Sequence, residues 1–179
     1  MLKGKNINIR PMSHEDVDIF YKWQTTQEHM GPFMGAQLHY KENFAEGIKK
    51  MFQDHNAFIT IIEDKEGKPI GVLNYNLVRQ GLCGIEIGML IAEEDYRGKG
   101  IGKEALAMFV DYLFTSKPYY RILYETRVDN IAMKNIGEKL GFKVEGVMKG
   151  YMYDQGSYRD YYLLAITRED WLKHSEVVR

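Results

Sequence analysis

Residues 84–102 read GIEIGMLIAEEDYRGKGIG, a β-branched stretch that passes through a charged turn into three alternating glycines. The first eight alternate along an extended chain, with Glu86, Gly88 and Leu90 on one face and Ile85, Ile87, Met89 and Ile91 on the other. Both faces count in placing this strand. After the glycines, Ala105, Leu106, Phe109, Val110 and Leu113 recur at helical spacing. The order is strand, glycine loop, helix. Within Arg97-Gly98-Lys99-Gly100-Ile101-Gly102, glycine allows a tight turn and lets a phosphate approach the amide nitrogens with no Cβ in the way. The helix start adds unpaired N–H groups and a favourable dipole. The loop reads as an anion cradle, although an exposed strand-to-helix connection would explain the same glycines. It is not a Walker loop, because no Gly-Lys-Ser/Thr follows, and the strand pattern does not suit the dinucleotide fingerprint of a parallel βαβ unit.

Working outward, NINIR (residues 6–10) predicts a short strand that Pro11 ends, and Ser13 stands as N-cap of a helix to about Trp23, with Asp16 in its first turn. TTQEHMGPFMGAQLH then reads as a turn-rich connection, followed by a helix with Phe44, Ile48, Met51 and Phe52 on one face. AFITII (57–62) and PIGVLNYNLV (69–78) predict a hairpin around DKEGK. Downstream come a strand over 120–128, a helix from Asn130 to Leu140 ended by Gly141, and strands over 142–148 and 158–166 around a DQG turn, closed by a short helix through Trp171. The expected order is βααβββαβαββα. This is a mixed α/β (α+β) chain with a central, mostly antiparallel sheet flanked by helices, read as one domain over residues 1–179 with no linker or repeat.

The 179 residues include 24 basic and 25 acidic side chains, for a net charge of -1 that offers no global field for nucleic acid. No run approaches the ~20 apolar residues of a membrane span, and the N-terminus lacks an apolar export segment. Cys83 is the single cysteine, so an internal disulfide is impossible and a cytoplasmic setting is expected. His14, His29, His39, His55 and His174 show no ligand spacing, and no metal is expected.

Several segments, taken in order, extend the reading: NINIRPMSHED, GIEIGMLI, EDYRGKGIGKEAL, RVDNIAMKNIGEKLGF and VEGVMKGYMYDQGSYRDYYLLAITREDW. Together they resemble the GNAT superfamily of N-acetyltransferases, in which R/Q-x-x-G-x-G/A binds the pyrophosphate of acetyl-CoA; here that pattern is Arg97, Gly100 and Gly102. The last two segments are most similar to the branch with ribosomal-protein N-terminal, polyamine and amino-sugar-nucleotide acetyltransferases. The resemblance implies acetyl-CoA as co-substrate. It assigns pyrophosphate to the amides of Arg97, Gly98, Lys99, Gly100, Ile101 and Gly102, with the basic side chains of Arg97 and Lys99 assisting. It also assigns β-like pairing with the pantetheine arm to the backbone of Met89, Leu90 and Ile91, and a hydrogen bond to the cofactor to Asn130.

Acetyl transfer to an amine needs a neutral nitrogen, yet an alkylamine of pKa ~10.4 is only about one part in 2,500 neutral at pH 7. Glu86 is the candidate base, since it interrupts an apolar strand just before the cofactor segment and partial burial would raise its pKa. A structural carboxylate paired with a neighbouring cation is the alternative. The backbone N–H near Leu90 is the candidate donor to the oxyanion. Many relatives carry a tyrosine acid seven residues after the Asn130 equivalent, and here that position is Gly137. Water, Asn135, Tyr124, Tyr151 or Tyr153 are the stand-ins considered, although a tyrosine is more often packing.

The expected acceptor is a primary amine, first of all a protein N-terminus. A polyamine would want carboxylates such as Glu28, Glu42 and Glu46. An amino-sugar nucleotide would want a second anion site, for which Arg79 and Lys41 are the candidates. The methionines and aromatics of residues 29–52 mark either the acceptor side of the cleft, ordinary helix packing, or a homodimer face. A non-catalytic module that binds acyl-CoA is the rival reading, with the missing tyrosine as its support.

Overall fold

The computed structural model describes residues 1–53, 57–77 and 84–178, without the side chains of Phe52 and residues 175–178. Arg79, Cys83, His55 and the Phe52 side chain therefore lie outside the described residues. Eight strands form one sheet in the order β1-β2-β3-β4-β5-β6-β8-β7. These are β1 (Leu2–Lys3), β2 (Ile7–Pro11), β3 (Ala57–Asp64), β4 (Pro69–Leu77), β5 (Gly84–Ile91), β6 (Arg121–Arg127), β7 (Lys143–Asp154) and β8 (Ser157–Thr167). The helices are α1 (Val17–Thr25), α2 (Gln27–Met30), α3 (Lys41–Gln53), α4 (Ile101–Ser116), α5 (Ile131–Lys139) and α6 (Arg168–Val178). Neighbours β1/β2, β2/β3, β3/β4, β6/β8 and β7/β8 run antiparallel, and β5/β6 run parallel. The expected mixed, mostly antiparallel sheet flanked by helices is the observed one.

The chain divides into two compact units, residues 1–76 with 89–105 and residues 77–88 with 106–179, and β5 and α4 each contribute to both. In the first unit, Phe20 and Trp23 of α1, Met30 of α2 and Ile48 of α3 are buried with Ile59, Ile61, Val72, Leu90 and Ala92 of the strands and their ends. Phe44 and Met51 pack against this cluster, so the apolar stripe of α3 serves helix packing. Ser13, expected as the N-cap of α1, instead caps a one-turn 3-10 helix over His14–Asp16 that leads into α1, and Asp16 accepts from the Ser13 amide at 2.8 Å and hydroxyl at 2.9 Å. Arg10 clamps the same carboxylate with two bonds of 2.7 and 2.8 Å and reaches Glu63 at 2.9 Å.

In the second unit α4 buries Leu106, Phe109, Val110 and Leu113, the stripe expected from its spacing. Arg168 donates to the carbonyls of Phe114, Lys117 and Tyr119 and so fixes the end of α4 and the start of α6.

The element order is ββαααβββαβαββα, which corrects βααβββαβαββα in two places. The two-residue β1 pairs Leu2 with Ile9 and Lys3 with Asn8 and is too short to carry a period. The single-turn α2, QEHM, lies inside the stretch read as connection; its polar sequence has no helical stripe, and burial of Met30 holds it. Strand β7 runs to Asp154 rather than Met148 because register breaks at Val144/Gly146 and Met148/Met152 absorb its glycines. Asp160 ties the second break by accepting from Lys149 at 2.6 Å and from the Gly150 amide at 2.8 Å.

Burial works against a charge on Asp16, but the Arg10 guanidinium and Ser13 outweigh it and hold its pKa below the usual value. That contribution is present above the ordinary carboxylate range and is lost as pH falls through the lowered folded value. Asp16→Asn should cost about 1–3 kcal/mol at pH 7, read as a lower urea midpoint at unchanged slope, and the gap to the parent should close in acid.

Candidate active site

In the first unit, β4 sets the path of the chain out of β5. The Ile70 carbonyl accepts both the Ala92 amide at 2.9 Å and the Glu93 amide at 3.2 Å. At the next residue, a Cβ added to Gly71 would stand 2.2 Å from the Leu90 carbonyl oxygen and 3.1 Å from the Ile91 Cα. Only glycine lets the strands approach this closely. Leu90 turns its side chain into the core, while Met89 and Ile91 stay half-buried.

Past the strand, Glu93 accepts from the Trp23 indole at 2.9 Å, and the Tyr96 hydroxyl donates to Asp64 at 2.6 Å. Arg97 is turned inward. Its guanidinium donates to four carbonyls: Ile91 at 2.9 Å, Ala92 at 3.0 Å, Glu28 at 3.0 Å and His29 at 2.6 Å. Its amide already donates to the Glu94 carbonyl at 2.9 Å. Arg97 was expected among the phosphate-facing groups, and the geometry corrects this: both its amide and its guanidinium are taken up by protein carbonyls, which fix the base of the loop.

The cradle proper starts one residue later. Gly98 has φ +72° and Gly100 φ +83°, conformations L side chains rarely adopt, and a Cβ at either would meet nothing within 4 Å. The amides of Gly98, Lys99, Gly100, Ile101, Gly102 and Lys103 find no acceptor among the described residues; the first internal bond of α4 runs from Glu104 N to Gly100 O at 3.1 Å. Six amides thus open at a helix start, which suits an anionic diphosphate.

The second unit holds the other expected residues. Glu86 is half-buried on β5, opposite Leu123 of β6. Burial, and then the charge of Glu125, push its carboxyl above the usual carboxylate range. No ion pair or hydrogen bond joins the Glu86 carboxylate to a described residue, so the alternative of a structural carboxylate held by a cation finds no partner among them. Asn130 caps α5, its Oδ1 accepting from the Met133 amide at 3.1 Å, which leaves its Nδ2 as the donor to offer a ligand. Asn135 is exposed on α5; a carboxamide donates a hydrogen bond but does not surrender a proton.

Gly137 is buried beneath Tyr124: a Cβ there would stand 1.8 Å from the Tyr124 hydroxyl oxygen. That hydroxyl donates to the Met133 carbonyl at 3.1 Å, and the ring packs edge-on against Phe142 at 5.1 Å. Tyr124 is therefore a packing residue, and burial pushes its phenol well up. Tyr151 donates to Glu125 at 3.0 Å, and Tyr153 packs on Tyr158. Of the candidate second anion site, Lys41 is paired with Asp18 at 2.8 Å. Sequence reasoning passed over Gly71 and the Glu125–Tyr151 pair; a glycine inside the strand PIGVLNY was the one available signal for the first.

A family model described as acetyltransferase (GNAT) domain matches residues 6–143. The chain belongs to the GNAT acetyltransferase family. Among its relatives, the [ribosomal protein uS5]-alanine N-acetyltransferase of Escherichia coli (strain K12) is 31% identical over 126 residues, covering 69% of this chain and 64% of the relative, so the chain matches less than two thirds of that protein's length. The solved RimJ of Mycobacterium smegmatis, in complex with CoA-disulfide, superposes with a TM-score of 0.79 at 25% identity and covers 97% of this chain and 90% of its own. Spermidine N-acetyltransferase from Vibrio cholerae, solved with CoA and spermine, shares the fold with a TM-score of 0.84 at 18% identity, covering 93% and 98%. The GNAT assignment confirms the family that the glycine loop and its flanking segments resemble.

Two glycines of this GNAT chain are required by close approach rather than by a turn. Gly71→Ala should destabilise the fold by about 1–3 kcal/mol and weaken CoA binding, read by thermal unfolding and calorimetry. Gly137→Ala should cost a similar ~1–3 kcal/mol, and Tyr124→Leu in the same chain should recover part of it, whereas Gly146→Ala, with open space around it, should stay within ~0.5 kcal/mol of the parent.

Proposed function

We propose that this chain is an acetyl-CoA-dependent N-acetyltransferase that acts as one catalytic domain and transfers acetyl to a primary amine by direct attack in a ternary complex. The observation that carries this reading is the run of six amides, Gly98 to Lys103, that find no acceptor among the described residues, just past a strand that bears the half-buried Glu86. When bound, acetyl-CoA supplies the activated thioester carbon. The amides of residues 98–103 hold its pyrophosphate, with Lys99, exposed beside them, adding charge. The backbone of Met89, Leu90 and Ile91 pairs with the pantetheine arm, and the Asn130 Nδ2 donates to it.

Glu86 accepts the proton that leaves the acceptor's ammonium nitrogen, directly or through one water. The freed lone pair forms the C–N bond while the C–S bond breaks, and the second nitrogen proton passes to the departing sulfur or to solvent. The Leu90 amide faces the thioester oxygen as negative charge develops there. No side chain is assigned as acid, because a thiolate of pKa ~8.5 leaves without full protonation.

A protein N-terminal amine is the acceptor this reading favours, because the relative at 31% identity is named for alanine of a ribosomal protein. A polyamine is the second reading, supported by the exposed Glu28, Glu42 and Glu46 and by likeness to the spermidine enzyme.

Free-thiol release from acetyl-CoA with a panel of N-terminal peptides and polyamines tests activity and acceptor together. If CoA binds and no amine raises thiol release, the enzyme reading is wrong and a binding module remains. Glu86→Gln should lower kcat by about 10²–10⁴ with CoA affinity kept, whereas Gly100→Val should abolish CoA binding. Because burial holds a proton on Glu86 above the usual carboxylate range, kcat/KM should rise with pH through that raised value.

A further inference from the structure

In the second unit, two carboxylates stand on the same face of paired strands. The parallel register sets Glu86 opposite Leu123, and Glu125 lies two residues beyond Leu123, on the same side of the sheet. Their surroundings differ. Glu125 accepts a hydrogen bond from the Tyr151 hydroxyl at 3.0 Å, while Glu86 has no hydrogen bond from a described residue. The Tyr151 ring is held in turn against Tyr161 of β8, with centroids 5.5 Å apart and planes at 59°, which fixes the direction from which the hydroxyl reaches Glu125.

The charged and titratable groups around the pair come from three strands. Glu125 of β6 and Tyr151 of β7 act on Glu86 or feel its charge, and Tyr161 of β8 feels Glu125. Arg127, the cation at the end of β6, acts on Tyr161 and is bound to Asp129 and Asp154. Burial and the charge of Glu125 are what act on Glu86, and no cation counters them there among the described residues.

We propose that Glu125, oriented by the Tyr151 hydroxyl, is a positioning residue that acts through Glu86: its fixed negative charge decides when Glu86 releases its proton. The Tyr151 hydroxyl donates to a Glu125 oxygen and so holds that carboxylate in place on the face it shares with Glu86. Glu86, half-buried and with no donor to its carboxylate among the described residues, is the one whose charged form is disfavoured. Burial raises Glu86 first and Glu125 adds to it, in keeping with this division. The Tyr151 phenol, pushed up to about 12 chiefly by its bond to Glu125, stays a donor across the working range. The inference rests on the reading of Glu86 as base.

The test is the titration of the Glu86 side-chain carboxyl by carbon NMR in the ligand-free protein, run beside the pH profile of kcat/KM. Glu125→Gln removes a like charge, so both the Glu86 midpoint and the acidic limb should move to lower pH, with CoA affinity unchanged. Glu125→Asp, which keeps the charge, should return both towards the parent. Tyr151→Phe should move them in the same direction as Glu125→Gln, but less. An unmoved Glu86 midpoint in a folded Glu125→Gln protein overturns the inference, whatever Glu86→Gln does to turnover. Loss of turnover at every pH in Glu125→Gln, with the Glu86 titration unmoved, also overturns it and makes Glu125 the reacting group. Full turnover in Glu86→Gln removes the catalytic reading instead, while the NMR titration still reports whether the two carboxylates are coupled.

Discussion

The Ile70 carbonyl accepts two consecutive amides, those of Ala92 and Glu93, and the residue after it must be glycine for Leu90 to come near enough. This close approach of β4 fixes where the chain leaves β5, and the rest of the loop follows from it. Because residues 91 and 92 are held there, their carbonyls face Arg97, and the guanidinium can bridge them to those of Glu28 and His29. A rigid base then lets Gly98 and Gly100 hold left-handed conformations without the loop collapsing onto its own amides. Backbone donors fixed in place cost less to organise on binding than flexible lysines would.

The net charge of -1 fits that arrangement. With no net positive field over the chain, the proposed recognition of a diphosphate rests on contact with the amides of residues 98–103 and on the nearby Lys99. A diphosphate held by amides is screened less by salt than one held by exposed cations, since oriented N–H groups act only at contact distance. The chain can therefore keep Glu86 of β5 and Glu125 of β6 on one face of these paired strands without a basic field that would offset their charges.

How much of this was legible in the sequence follows from how local each feature is. Ser13 with Asp16, the alternating glycines and the DQG turn involve neighbours within a few residues, so their residue types announced them. The roles of Gly71, Gly137 and Arg97 depend on partners far along the chain: the Leu90 carbonyl, the Tyr124 hydroxyl, and the carbonyls of Glu28 and His29. No period or spacing encodes such a meeting. Arg97 illustrates the cost, since its place in the glycine motif was legible but the direction of its side chain was not. The length of β7 was hidden for a related reason: Gly146 and Gly150 look like breaks until the register shifts and Asp160 show how the strand continues.

The glycine at position 137 also shows how one packing choice constrains chemistry elsewhere. Tyr124 reaches across to the Met133 carbonyl through the space a side chain at 137 would need, so the two positions cannot both be large. With that volume filled by a buried, well-protonated phenol committed to a carbonyl, no acid can be placed from position 137. On the proposed reaction the demand then falls on the base side, where removing the ammonium proton is the costly step, and on a leaving sulfur that tolerates departing as thiolate. A base whose proton affinity is raised by burial and by a second carboxylate answers that demand more closely than an isolated surface glutamate would, because its pKa is moved towards the pH at which it must accept a proton.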